Sequence, residues 1–325
     1  MSIDLLTILN PIESEIAQMN AYFVQKLHHN NLQIDNILSH ISSHKGKQLR
    51  PAMVFLSAAM HGEINQQTYT AALVFELLHA SSLIHDDIVD NGLKRHNQPT
   101  VNALWNNKIA VLLGDYLLSE CMNLIAQSNN LQLLHTTTQV AQKMVGGELL
   151  QLTHLQEDIL SKEQYMEIVQ QKTASLIAAC FEMGAASARA DTEKVQEWKL
   201  LGKEVGVVFQ VKDDLFDYQK NISFEKDCFK DIHEHKISLP FILALEQKPL
   251  SVREKWFKLY KSHNGTEKEI QEIITMVIEN NGIDLTEQFL EEKTQEVFQF
   301  IDKQPDSKYK QSLIALVHYV KDRTH

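Results

Sequence analysis

Two stretches of this chain mass carboxylates beside apolar sequence. LIHDDIVD carries Asp86, Asp87 and Asp90, and FQVKDDLFD carries Asp213, Asp214 and Asp217. On a helix, residues four apart share a face, so Asp86 and Asp90 stand together while Asp87 points partly aside. DDLFD repeats the spacing. Like charges so placed destabilise a helix on their own, and a cation reverses that cost. Strongly apolar sequence precedes each cluster, SSLIH in one case and VGVVFQV in the other. That puts both at the edge of a core. Acids that simply meet solvent at a helix end would explain one such cluster more easily than two. Carboxylates and water are magnesium ligands, and the ion prefers to keep waters and to share phosphate oxygens. The pair therefore reads as a site where magnesium bridges a diphosphate to the protein.

Basic residues supply the other half. Lys47 and Arg50 flank the loop in GKQLRP, Lys94 and Arg95 follow the first cluster, Lys172 lies in QQKTA, and Lys226 and Lys236 lie beyond the second. Singly, each reads as a surface charge. Beside two metal-type clusters they could clamp phosphate groups. His79 and His85 do not stack on one helical face, which makes zinc a poor reading. No Ser-His-Asp or Cys-His pattern suggests a side-chain nucleophile. Cys121, Cys180 and Cys228 are scattered without metal-ligand spacing and fit buried thiols in a reducing compartment.

The elements that must position these groups read as helices. The chain has 325 residues, 44% of them hydrophobic, enough to bury a sizeable core. Only 6 prolines and 11 glycines interrupt long apolar-periodic segments rich in Leu, Ala, Gln, Glu and Lys. The pattern predicts helices over 12–27, 33–42, from Pro51 to Gly62, and from Asn65 through the first cluster. Others follow over the run from Val101, around GGELLQL, from a cap at Ser161, and over 199–217, before a polar loop at 218–236. No strand alternation of useful length is present. No composition shift marks a linker, so residues 1–325 read as one domain.

A net charge of -11 argues against nucleic acid as a partner. The N-terminus carries acids and a proline where a secretory signal needs a basic start and an apolar run. No run approaches the 18 apolar residues of a membrane span. The expectation is a cytoplasmic protein without a transmembrane segment, with transient membrane contact if its product is greasy.

Seven pieces in order now carry a resemblance: GKQLRP from Gly46, ELLHASSLIHDDIVD from Glu76, PTVNALWNNKIAVLLGDYLL from Pro99, GGELLQL from Gly146, QKTASL from Gln171, FQVKDDLFD from Phe209 and KDIHEHKISLP from Lys230. Together they resemble the trans-isoprenyl diphosphate synthases, the polyprenyl synthetases, over nearly the whole chain. The resemblance implies an all-α isoprenoid synthase fold, a single large helical bundle around a deep central cavity, working as a homodimer. It implies repeated head-to-tail addition of isopentenyl diphosphate to an allylic diphosphate, with three Mg²⁺ per site when diphosphate is bound.

By that resemblance, Asp86, Asp87 and Asp90 bind the allylic diphosphate through Mg²⁺, and Asp213, Asp214 and Asp217 complete the metal site from a facing helix. Arg95, Lys172 and Lys226 grip the same diphosphate. Gly46, Lys47, Arg50 and His79 hold isopentenyl diphosphate. Thr173 and Gln210 line the site, with Lys236 near its rim. Magnesium and lysines would neutralise charge growing on the leaving group, and apolar walls would keep water from the allylic cation.

Product length follows from the residue five before the first aspartate, where the family places a floor. Here it is Ser81, followed by Ser82, both small. Leu73, Val74, Leu77 and Leu78 would line the tail. The expectation is a chain of about C30 to C50, octaprenyl centrally, set by the depth of the pocket and destined for a quinone. Small residues that merely let helices pack closely are the plainer alternative. A short-chain farnesyl or geranylgeranyl synthase and a non-catalytic subunit of a heteromeric synthase are the rival functions. Six intact aspartates argue against the second.

The chain also departs from the family pattern. Two arginines and a glycine usually precede the PT pair, and here Arg95, His96 and Asn97 stand there. An imidazole of ordinary pKa, about 6.5, is only partly charged at neutral pH, and a nearby diphosphate would raise it. Glu225 and His235 stand where glycines usually precede the two lysines.

Overall fold

The computed structural model describes residues 5–43, 46–95, 98–154, 156–219 and 229–323. Helices carry nearly all of them, as the scarcity of glycine and proline demands. The order is α1 Leu5–Leu9, a 3₁₀ turn at Asn10–Ile12, α2 Glu13–Lys26, α3 Leu32–Ser43, α4 Leu49–His61 and α5 Gln66–Val89. Two-residue strands β1 Lys94–Arg95 and β2 Gln98–Pro99 pair antiparallel, a pairing too short for the sequence pattern to reveal. Then come α6 Val101–Leu104, α7 Asn107–Ser128, α8 Leu131–His154 and α9 Lys162–Val169. A π-helical turn, Gln170–Ala174, joins α9 to α10 Ser175–Ser187. α11 Thr192–Gln219, α12 Lys230–His233, α13 Leu239–Leu245, α14 Leu250–Ser262, α15 Glu267–Glu279, α16 Gly282–Asp302 and α17 Lys308–Asp322 complete the chain.

Side-chain caps set the long helices. Asn65 accepts from the backbone of Gln67 at 2.9 Å, while its own N–H donates to Thr68 Oγ1 at 3.2 Å, closing a capping box at the start of α5. Ser161 caps α9, with Gln164 as its reciprocal partner in a second capping box. The helix of the second cluster begins at Thr192, earlier than its apolar period suggested, because Asp191 caps it through the N–H of Lys194.

α10 is apolar nearly all round and lies at the centre, with α4, α5 and α11 packed on it. Close approach explains its glycine: a Cβ at Gly184 would lie 2.5 Å from the Val54 carbonyl oxygen. Buried apolar residues from Ile8 to Val320 join in one cluster. α5 and α11 both flank α10, and each ends in its aspartate cluster. The two acid groups are thereby carried to one end of the bundle by the same central helix.

α7 packs against α5 on one side. Its mean hydropathy of 1.5 and its 22 residues would suffice to cross a membrane, which the count of consecutive apolar residues did not show. Its apolar stripe faces α5, while Val111, Leu112 and Met122 remain exposed.

Candidate active site

A cavity of about 340 Å³ opens beside the second cluster, and its wall includes Arg95 and Lys236, the ion-pair partners of Asp87 and Asp90 in the first. Arg95, Gln151, Lys172, Thr173, Gln210, Asp213, Asp214 and Lys236 supply its polar walls, and Leu160, Ile168, Val169 and Ile237 its apolar ones.

The three acids of the first cluster play different parts. Asp87 points aside, as its position predicts, and its Oδ1 accepts from Arg95 Nε at 3.0 Å and Nη2 at 2.8 Å. That fork fixes the guanidinium at the cavity wall. Asp90 Oδ2 accepts from Lys236 Nζ at 2.6 Å, and the same ammonium reaches Glu234 at 2.7 Å. Burial alone would lower the Lys236 pKa, but the two carboxylates outweigh it and raise it. Burial pushes the Asp86 carboxyl up against the pull of Lys172, with Glu148 and Asp90 adding to the rise.

In the second cluster, Asp213 Oδ1 accepts from Arg323 Nη2 at 2.7 Å. Asp214 is saturated. Its Oδ2 accepts from the Tyr165 hydroxyl and from the Leu239 N–H, each at 2.7 Å, and its Oδ1 from Gln210 Nε2 at 3.0 Å. Thr173 orients Gln210 by donating to its Oε1 at 2.7 Å. Burial, reinforced by Asp231, pushes the Asp214 carboxyl up to about 7. Asp217 Oδ2 accepts from the Asp231 N–H at 2.6 Å. Asp214 and Asp217 thus tie down the segment that carries Lys236, a role the sequence spacing alone did not distinguish from metal ligation.

Arg50 and His79 form a second group beside the cavity. Arg50 is partly buried, and its buried Nε has no hydrogen-bond partner among the described residues. Burial lowers its pKa, with Glu76 opposing. His79 is held well below its ordinary value by burial and by Arg50 and Arg95, so it is a neutral imidazole at pH 7. Lys47 lies over the Tyr319 ring at 5.5 Å. Gln48 adopts a left-handed backbone (φ 53°) and its amide pairs with that of Asn20. A Cβ at Gly46 would touch nothing, and nothing in the structure explains the glycine there.

Ser81 is buried, and its hydroxyl donates to the Gly114 carbonyl at 2.8 Å, so its small size serves the contact of α5 with α7. Ser82 donates to the His79 carbonyl of its own helix. Leu73, Val74 and Leu77 are fully buried in the core and Leu78 is nearly so. His96, Glu225 and Lys226 lie outside the described residues. His235 adopts the left-handed backbone (φ 57°) that a glycine would take without strain. Its Nδ1 meets the Tyr260 carbonyl at 3.0 Å and its ring lies 4.3 Å from that of His263.

Sequence reasoning missed Arg323, Glu148, Gln151 and Tyr165. Glu148 and Gln151 lie inside GGELLQL, a stretch singled out without a role. Arg323 follows the last helix, and no spacing relates it to Asp213.

Among the described residues, no group of three or more acidic, histidine or cysteine side chains is drawn together as a closed metal cage. Asp213 and Asp214 line the cavity, and Asp87 and Asp90 are joined to it through Arg95 and Lys236. Magnesium takes one or two carboxylates and fills its sphere with waters and phosphate oxygens, so this donor set fits it.

Comparison with known proteins agrees with this geometry. The polyprenyl synthetase family model matches residues 31–277. The chain is 28% identical to the all-trans-nonaprenyl-diphosphate synthase (geranyl-diphosphate specific) of Rhodobacter capsulatus, over 97% of each. It is 30% identical to the nonaprenyl diphosphate synthase of Mycobacterium tuberculosis, over 90% of this chain and 88% of that protein. It superimposes on a polyprenyl synthase from Caulobacter crescentus, complexed with calcium and isoprenyl diphosphate, with a TM-score of 0.90 at 26% identity, over 100% of this chain and 99% of that one. A geranylgeranyl pyrophosphate synthase from Bacteroides thetaiotaomicron gives 0.84 at 33% identity, over 98% and 99%.

Proposed function

The chain belongs to the polyprenyl synthetase family, and from that footing we propose that it extends an allylic diphosphate, such as farnesyl diphosphate, into a long-chain polyprenyl diphosphate. Isopentenyl diphosphate is added repeatedly, head to tail and in trans, to about C30–C50, with octaprenyl central, the limit being the depth of the pocket. The observation that carries this reading is one cavity lined by Asp213, Asp214, Arg95, Lys172 and Lys236, with Arg95 and Lys236 ion-paired to the first cluster through Asp87 and Asp90.

The residues divide the work. Asp86, Asp90 and Asp213 would hold three Mg²⁺ together with the diphosphate. Asp87, Asp214 and Asp217 support them, through Arg95, the N-terminus of α13 and the Lys236 segment. Magnesium, when bound, neutralises charge on the departing diphosphate. Arg95 and Lys172 offer that group donors as the allylic C–O bond breaks, and the family resemblance gives Lys226 the same task. Lys47, Arg50 and neutral His79 hold isopentenyl diphosphate, with His96 and Gly46 completing that side. Ile168 and Val169 exclude water from the allylic cation. The double bond of isopentenyl diphosphate then attacks that cation, and the released diphosphate takes the proton from C2 of the isopentenyl unit.

The proposal places the enzyme in the cytoplasm, as one catalytic domain in a homodimer. Val111, Leu112 and Met122 of α7 and Val145 and Leu149 of α8 form the apolar surface on which a second copy would sit.

A shorter product is the second reading. It is favoured by Ser81, whose size is spent on packing against α7, and by the likeness to a geranylgeranyl pyrophosphate synthase. Purified protein given Mg²⁺, farnesyl diphosphate and labelled isopentenyl diphosphate decides between them by product chromatography. Products of C30 or longer support the main reading, a C20 product the second. No product from the protein alone would overturn both.

A further inference from the structure

GGELLQL gives α8 two adjacent glycines, then Glu148 and Gln151 three residues apart on one face. Opposite them lies the π-helical turn Gln170–Ala174. Such a turn adds a residue to the helix and recurs at functional sites. A Cβ at Gly147 would lie 2.7 Å from the Lys172 backbone nitrogen and 3.0 Å from its Cβ, so only glycine lets α8 approach the turn this closely. On the far side, a Cβ at Gly206 of α11 would lie 2.5 Å from Ala174 Cα. The turn is gripped between two glycines, with Lys172 directed at α8 and Thr173 at Gln210 of α11.

Lysine is ordinarily a poor choice for a fixed donor. Its stem is flexible and its ammonium is a mobile point charge. Here the ammonium is held twice. Lys172 Nζ pairs with the buried Oε2 of Glu148 and donates to Gln151 Oε1 at 3.2 Å. An ammonium has three N–H donors. With one donor spent on Gln151 and its charge paired with Glu148, the ammonium keeps donors for the cavity that Lys172 lines together with Arg95 and Asp213.

We infer that Glu148, assisted by Gln151, is a positioning residue that aims Lys172 at the departing diphosphate. The inference rests on the prenyl-transfer reading above and gives the GGELLQL stretch its task. The glycines admit the π turn and the acid and amide fix the lysine it presents. The rotamer freedom of the lysine is lost on folding rather than in the reaction.

The experiment is a double-mutant cycle between Glu148 and Lys172, read as kcat and KM for each substrate. Glu148→Ala is expected to lower kcat about tenfold, the rate equivalent of the rotamer freedom regained by a lysine. KM for isopentenyl diphosphate should not change. Glu148→Gln keeps an acceptor in place and should recover most of the rate. In a Lys172→Met background, Glu148→Ala should have no further effect. Gln151→Leu serves as an independent variant, again silent without Lys172. Losses that multiply in the cycle would overturn the inference, as would a Glu148→Gln enzyme as slow as Glu148→Ala. A wild type that turns over no prenyl substrate counts against the functional reading instead. The same cycle is then read by calorimetry with inorganic pyrophosphate and Mg²⁺, where Glu148→Ala should weaken binding only when Lys172 is present.

Discussion

Arg323 and Asp213 form a bond that links the last turn of the described chain to the second aspartate cluster. Nη2 of the arginine lies 2.7 Å from Oδ1 of the aspartate, it also donates to the Phe209 carbonyl at 2.8 Å, and the guanidinium stacks 3.8 Å from the Phe209 ring. Burial raises the Asp213 carboxyl, and Arg323 is the largest influence pulling it back. Replacing Arg323 with Gln removes that pull, so Asp213 takes a proton at higher pH. The acid limb of kcat/KM should move to higher pH in the variant. A profile superimposable on that of the wild type would show that the two groups do not act on each other.

Asp214→Asn should separate the two adjacent aspartates. An asparagine oxygen can keep the bonds from Tyr165 and Leu239, and Gln210 can reverse its amide because Thr173 both donates and accepts. Turnover should stay within about tenfold of wild type, whereas Asp213→Asn should cost about a hundredfold or more. Stability carries a second signature. The folded carboxyl titrates near 7 against an ordinary 3.8. Between those values the unfolded chain has released its proton and the folded chain has not, so this group erodes stability as pH rises across that window. The unfolding midpoint of Asp214→Asn should therefore gain on wild type from about pH 4 to pH 7 and level off above. A constant difference would contradict the assigned shift.

Two glycine substitutions should differ in cost despite similar crowding. A Cβ at Gly184 meets the Val54 carbonyl at 2.5 Å and Ser57 Cβ at 2.6 Å, neither of which can move without its helix. Gly184→Ala should cost about 1–3 kcal/mol in denaturant unfolding. A Cβ at Gly114 meets His85 Nε2 at 2.3 Å, but that ring is partly exposed and makes only long contacts, 3.3 Å to the Val111 carbonyl and 3.4 Å to Asp115. It can swing away, and alanine's helix preference of about 1 kcal/mol offsets the loss. Gly114→Ala should be close to neutral.

His96→Arg should tighten isopentenyl diphosphate most at alkaline pH. The imidazole loses its charge as pH rises and the guanidinium does not. KM for that substrate should climb from pH 6 to 8.5 in the wild type and stay level in the variant. A flat wild-type profile, unaltered by the substitution, would remove His96 from the phosphate site.

Much of this was legible in the sequence because helical spacing is rigid. Asp86 and Asp90 share a face while Asp87 turns aside to Arg95, as a four-residue interval requires. The caps at Asn65 and Ser161 announced two helices correctly. The division within DDLFD was not legible, because Asp214 owes its role to Tyr165 and the Leu239 N–H, which are distant in sequence. Ser81 taught the same lesson. Its small size was visible, but the carbonyl of Gly114 that it serves was not.

Four cations already reside among the acids at this end of the bundle: Arg95 on Asp87, Lys236 on Asp90, Lys172 on Glu148 beside Asp86, and Arg323 on Asp213. The site therefore resembles an ion-exchange resin kept in its loaded form. The fold does not have to tolerate a bare acidic pocket, since repulsion among the carboxylates is met before any substrate arrives. An incoming cation must therefore compete with side chains of this protein for these carboxylates, and each carboxylate it takes sets a lysine or an arginine free to find another anion.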